Sequence, residues 1–306
     1  MDAIARDLGC AAVRITGGDL ERLTIAARCA AEAGLEVWLS PFPCELDTDG
    51  MLAFFEQSAG VAEGLRKRYR SEVVFVAGCE ASVFGRGFLP GENSYVRMNQ
   101  LSAPSPELFA EYPKMLARFN AFLATATAVV RKRFAGPITY ASGQWEQVDW
   151  TPFDLVSIDA YRDRSNAGSL GQQLAALQSH GKTVAVTEFG CCTWRGAANR
   201  GASGWMIVKG EAERQELDGE YVRDENEQVE YLQELLGVYE RQGINTAFWY
   251  TFASWNRPYR QNVREDLDLG SFGLVKLIDP QALNPADCWK PKAAFEELAR
   301  VARARR

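Results

Sequence analysis

Apolar and polar positions along this chain fall into two rhythms. Short apolar runs with no helical period occupy Ala11 to Thr16, Glu36 to Ser40, Val73 to Glu80, Pro137 to Ala141, Leu155 to Ala160, Thr183 to Glu188 and Thr246 to Thr251. Runs of that length and β-branched content predict buried strands. Longer stretches between them repeat apolar residues every three to four positions. They predict helices over Leu20 to Ala33, Met51 to Tyr69, Pro106 to Phe134, Leu170 to His180, Glu225 to Gln242 and Pro291 to Ala304. Strands and helices in alternation indicate a parallel sheet with crossover helices, an α/β fold.

The pattern holds seven strands, one fewer than a closed (β/α)8 barrel needs. The expected architecture is a TIM (β/α)8-type barrel lacking its first strand in this chain. A helical fragment from Asp2 to Leu8 runs into the first visible strand, and an open backbone edge is expected beside the strand of Arg14. The interval from Ala141 to Leu155 is short for a parallel crossover and leaves room for only a short helix. No linker or low-complexity segment divides residues 1–306, so a single barrel domain is expected.

Two of the strands carry chemistry. Thr183-Val184-Ala185-Val186-Thr187-Glu188-Phe189-Gly190 and Val73-Val74-Phe75-Val76-Ala77-Gly78-Cys79-Glu80 each deliver a carboxylate to a C-terminal strand mouth. An acid there is costly unless it is paired or solvated. Two such acids at the same end of one sheet point to a catalytic pair. Alternation along a strand turns Val184, Val186 and Glu188 to one side, and Ser157, Asp159 and Tyr161 likewise.

Composition narrows the field. With 306 residues and 47% hydrophobic content the chain buries a large core, and a net charge of −6 argues against a nucleic-acid partner. No apolar run is long enough to span a bilayer, so no membrane partner is expected. The N-terminus lacks the basic and apolar regions of a signal peptide. Seven cysteines at no zinc-ligand spacing are expected to be reduced thiols in a cytoplasm, with the vicinal Cys191 and Cys192 acting as small packing residues. His180 is the only histidine and is expected at a helix C-terminus. Histidine-based catalysis and a histidine-ligated metal centre are thereby set aside, and no metal or cofactor is expected.

The strand-end glutamates resemble those of the TIM-barrel retaining glycoside hydrolases. In that clan the acid/base glutamate ends the fourth strand and the nucleophile the seventh. With one strand counted as missing, Glu80 and Glu188 take those places, and Thr187-Glu188-Phe189-Gly190 resembles the nucleophile motif. The resemblance implies double displacement on a small-molecule or oligosaccharide glycoside, with carboxyl groups about 5–5.5 Å apart. It also implies that Tyr161 hydrogen-bonds the nucleophile, that Arg14 supports it through charge, and that Trp249 lines the sugar site. The clan's asparagine before the acid/base, which contacts the sugar 2-hydroxyl, is Cys79 here. That departure leaves open a catalytically weak or inactive barrel that binds a carbohydrate or a protein partner. A second resemblance is to actinobacterial abortive infection (phage-resistance) proteins. It rests on Glu188-Phe189-Gly190-Cys191-Cys192, Tyr221-Val222-Arg223-Asp224-Glu225, Asp266-Leu267-Asp268-Leu269-Gly270-Ser271-Phe272-Gly273 and Trp289-Lys290-Pro291-Lys292, and it implies little chemistry.

Other residues fill out the site. Trp145, Trp150, Trp194, Trp249 and Trp255 stand at or beyond strand ends, and together they favour an aromatic-lined cleft. Glu146 is the rival carboxylate, expected in a loop or at the substrate. Residues Cys191 to about Tyr221 read as one long loop, in which Arg195 and Arg200 either hold an anionic substrate group or pair with acids at the rim. Asp266 and Asp268 lack a cation-binding spacing and read as a capped loop.

Overall fold

All seven apolar runs fold as strands, and the six predicted helices lie between and after them. The computed structural model describes residues 1–69, 71–210, 214–279, 281–282 and 284–304. By the density of their contacts these residues form two units. One comprises Met1–Ala5, Cys10–Asp159 and His180–Ala185; the other comprises Arg6–Gly9, Ala160–Ser179 and Val186–Arg306.

The first unit is built on a parallel sheet. Strands β1 (Ala12–Gly17), β2 (Glu36–Pro41), β3 (Val73–Cys79) and β4 (Ile138–Ala141) are hydrogen-bonded in that order, with Val13 opposite Val37, Trp38 opposite Val74 and Phe75 opposite Ile138. Every residue of β3 and β4 is buried, as expected of strands covered on both faces, whereas β1 stands at the end of the order and is mostly half-buried. Helix α1 (Leu20–Glu32) starts at Asp19, whose carboxylate accepts the Arg22 N–H at 2.9 Å, a cap that contributes about 1 kcal/mol. Helix α2 (Thr48–Arg68) turns Met51, Phe55, Ala59, Ala62 and Leu65 inward at helical spacing and ends on Arg66, Lys67 and Arg68, which complement its dipole. The short α3 (Ala81–Phe84) and α4 (Ser94–Ser102) precede the long α5 (Pro106–Arg131), whose buried side includes Met115, Phe119, Leu123, Ala126 and Val130.

Strand β5 (Val156–Asp159) joins β4 through a parallel bridge between Ser142 and Ile158. The connection between them holds no helix among its described residues, contrary to expectation. Its backbone is satisfied by side chains instead. Lys182 Nζ donates to the carbonyls of Trp150, Thr151 and Phe153, while Asn120 bridges Gln147 O and the Asp149 N–H.

The second unit contains α6 (Leu170–Leu177) and the end of β6 (Val184–Phe189). The segment after β6 is not the structureless loop expected. Within it lie two 3₁₀ turns (Ala197–Asn199 and Gly201–Ile207) and an antiparallel pair, β7 (Val208–Lys209) with β8 (Glu216–Leu217). Residues 211–213 of that segment lie outside the described residues. Trp194 explains the order: it is buried, its indole N–H donates to Gly204 O at 3.1 Å, and its ring meets Tyr221 edge-on. Helix α7 (Asn226–Arg241) buries Tyr231, Leu232, Leu235 and Tyr239, and β9 (Thr246–Trp249) is the neighbour of β6. A short pair, β10 (Val275–Leu277) with β11 (Trp289–Pro291), flanks α8 (Pro285–Cys288), and α9 (Ala293–Ala304) packs on α7. The seven cysteines are free thiols. Among the described residues no helix is long and apolar enough to cross a membrane.

Candidate functional site

In the first unit the last residues of β3 are bent out of regular pairing. The register with β4 shifts between Val76 and Cys79, and Gly78 takes φ +95°, a left-handed conformation that side chains resist. The irregularity re-aims the two residues that follow. Cys79 is buried, and its thiol donates to Asp159 Oδ2 at 3.4 Å. Glu80 is half-buried and is itself left-handed (φ 44°, ψ 39°), at the start of α3. Such a backbone costs a non-glycine residue on the order of 1–2 kcal/mol and persists only where its surroundings hold it.

The holding groups are visible. The Glu80 N–H donates to Ala141 O at 2.9 Å, and its own carbonyl accepts from Val83 and Phe84. The next two amides meet side chains: the Ala81 N–H donates to Tyr140 Oη at 2.6 Å, and the Ser82 N–H to Glu146 Oε1 at 3.0 Å. Tyr140 Oη donates in turn to Glu146 Oε2 at 2.8 Å, which also accepts the Gly143 N–H at 2.9 Å. Trp145 lies over Gly143 and donates its indole N–H to Ser82 Oγ at 3.0 Å. Glu146 is only 7% exposed and meets no cation among these partners. Burial pushes its carboxyl up to about 7, against the pull of hydrogen bonds from Ser82, Gly143 and Tyr140. Burial, reinforced by the Glu146 charge, likewise holds the Tyr140 phenol well above its usual range.

In the second unit Glu188 is half-buried one residue before the end of β6. The Tyr161 O–H donates to its Oε2 at 3.1 Å. Tyr161 is fixed by its ring against Phe272 and by Asn166 Nδ2 donating to its carbonyl at 2.9 Å. The Glu188 carbonyl accepts the Ala160 N–H, and the Phe189 carbonyl accepts the Tyr250 N–H, each at 2.8 Å. A side chain at Gly190 would place its Cβ 2.4 Å from Tyr250 O, so this close approach of two backbones requires glycine. Trp249 is half-buried, its ring edge-on to Phe189 and its indole N–H bonded to Phe272 O at 2.9 Å.

The remaining predicted residues have partners of their own. Arg14 bridges β1 and β2 through Nε to Ser40 Oγ at 3.2 Å. Arg195 is exposed and lies 3.5 Å from Asp224, and Trp150 is buried against Phe153, while Trp255 is 61% exposed. Asp266 and Asp268 are not a capped loop but the acids of a buried ion cluster. Arg223 binds Asp266 at 2.7 Å and Asp268 at 2.9 Å, and Lys292 Nζ binds Asp268 at 2.8 Å. Sequence reading missed Tyr140 and the cluster. A tyrosine inside a short buried strand was the available signal, since a buried phenol needs a partner.

No protein-family model and no curated protein matches the sequence. Solved structures do match. A GH113 beta-1,4-mannanase is 15% identical, with a TM-score of 0.61 over 99% of this chain and 91% of its own. The GH113 beta-mannanase of Alicyclobacillus acidocaldarius is 16% identical, with a TM-score of 0.57 over 96% and 85%. Beta-glucuronidase 2 of Bacteroides uniformis is 15% identical, with a TM-score of 0.60 over 98% of this chain but 32% of its own. The chain therefore has the α/β fold of the TIM-barrel glycoside hydrolases.

Proposed function

We propose that this chain is a retaining O-glycoside hydrolase, with Glu188 as nucleophile and Glu80 as general acid/base. The observation that carries the reading is the Tyr161 O–H held 3.1 Å from Glu188 at the mouth of β6. A phenol donating to a strand-end carboxylate holds the attacking oxygens in one orientation. Glu188 attacks the anomeric carbon while Glu80 gives its proton to the departing oxygen, and a glycosyl ester forms. Water, deprotonated by Glu80, then breaks that ester with overall retention. Trp249 serves as the sugar-stacking ring of this site. The mannanases that share the fold make β-1,4-linked mannosides the first substrate class to assay.

Leaving-group dependence tests the roles. Glu80→Ala is expected to slow substrates with poor leaving groups by about 10²–10⁴-fold and to spare activated aryl glycosides, which need no protonation. Azide is expected to rescue the variant and to give a glycosyl azide of retained configuration. Equal losses on both substrate types contradict the assignment. One observation favours a second reading, a barrel that binds carbohydrate or protein without efficient turnover. The thiol of Cys79 is engaged with Asp159, at the position where the resembling enzymes carry an asparagine for the sugar. Tight calorimetric binding of manno-oligosaccharides with no turnover of any aryl glycoside would establish it.

A further inference from the structure

We propose that Glu146 and Tyr140 are positioning residues that set the direction of Glu80 by clamping the two amides that follow it, an inference that rests on the glycosidase reading above. Neither side chain belongs to the strand that carries Glu80. Tyr140 comes from β4 and is wholly buried, and Glu146 comes from the connection beyond it. Both converge on Ala81 and Ser82, the first two residues of α3, a helix too short to hold its own start. Glu80 has a strained left-handed backbone and lies directly before this clamp. A change of a few tens of degrees in that backbone swings the carboxyl by an ångström or more. Misplacement of that size costs a catalytic group about a hundredfold.

The chemistry of the clamp is matched to the task. The two Glu146 oxygens accept from the Ser82 backbone and side chain, from Gly143 N and from Tyr140 Oη, and Tyr140 Oη itself accepts the Ala81 N–H. Trp145 closes the same turn from the side, through Ser82 Oγ. A network satisfied in this way holds one geometry, and removing a member leaves a buried donor without its acceptor. Burial also raises the Glu146 carboxyl to about 7, so its protonation near neutral pH competes with its acceptor role.

Glu146→Gln and Tyr140→Phe test the proposal, with hydrogen exchange at the Ala81 and Ser82 amides as a readout independent of turnover. Both variants are expected to speed exchange there by about tenfold or more, with little change at amides of β2. In kinetics they are expected to lower kcat/KM about tenfold or more for poor leaving groups and less than about threefold for activated ones. A merely structural loss would lower both alike, and that result overturns the proposal. Unchanged exchange at Ala81 and Ser82 also overturns it. Should either variant fail to fold, Trp145→Phe removes only the indole donor to Ser82 and is expected to shift both readouts in the same direction, by less; no shift counts against the clamp. Wild-type protein that turns over no glycoside overturns the glycosidase reading and the catalytic half of this proposal, and the exchange rates then report on the clamp alone.

Discussion

Two buried acidic centres in this chain solve the same problem in opposite ways. Glu146 is surrounded by neutral donors, two backbone N–H groups, the Ser82 hydroxyl and a phenol, and its carboxyl is pushed up to about 7 by burial. Asp266 and Asp268 are met by full charges, Arg223 and Lys292. Burial pulls the Arg223 guanidinium down, but the charge of Asp268 with the bonds of Asp266 outweighs it and leaves it above its usual value. Burial raises Asp266 and lowers Lys292, each against the attraction of its partners. The ion cluster ties three segments together through opposite charges and serves as a fastening. The neutral centre keeps a carboxyl that titrates near neutrality, beside the residue proposed as the acid of the reaction.

The largest expected effect comes from breaking the cluster. Asp268→Ala strands Lys292 and half of Arg223 in the interior and should cost about 3–5 kcal/mol, read by urea denaturation. A loss below about 1 kcal/mol would mean the cluster is solvated rather than buried. The pH dependence of stability comes next. Unfolded, Glu146 loses its proton near the usual 4.5; folded, it keeps it to about 7. The folded state therefore holds a proton that the unfolded state has shed. Its contribution is fully present below about 4.5 and is lost as pH rises through about 7, up to roughly 3 kcal/mol in all. Glu146→Gln should flatten the stability profile in that window, and an unchanged slope would place the titration elsewhere. Tyr140→Phe leaves the Ala81 N–H unsatisfied and should cost about 1–3 kcal/mol in the same denaturation assay. The smallest effect belongs to the rim of the cluster. Lys276 binds Glu225 at 3.0 Å where both are partly exposed, so Lys276→Ala should change stability by no more than about 1 kcal/mol.

The comparison also separates what was legible in the sequence from what was not. Strands were legible because burial on both faces forces a continuous apolar run, as in Val73 to Cys79. Glu80 and Glu188 stood out against such runs, and the Tyr161 contact followed from alternation along a strand and the clan resemblance. The clamp was hidden because its members are local in space and scattered in sequence: Tyr140 looked like one more core residue, and Glu146 like a loop acid. The ion cluster draws Arg223, Asp266, Asp268 and Lys292 from three distant segments, and nothing in their spacing marks them as partners. Three of the four stretches behind the second resemblance supply those residues. The fourth, Glu188 to Cys192, runs directly into Thr193, whose carbonyl accepts the Asp224 N–H at 2.8 Å. Three of those motifs thus meet in a structural fastening.

The central claim is that Glu188 forms a covalent bond to a sugar. Incubation with an activated 2-deoxy-2-fluoro glycoside of the manno series, followed by proteolysis and mass spectrometry, tests it directly. The account predicts one added fluoro-sugar on the peptide that contains Glu188, absent from Glu188→Gln and retained in Glu80→Ala. Labelling of another carboxylate, or no labelling under conditions where the intact protein binds the sugar, would contradict it.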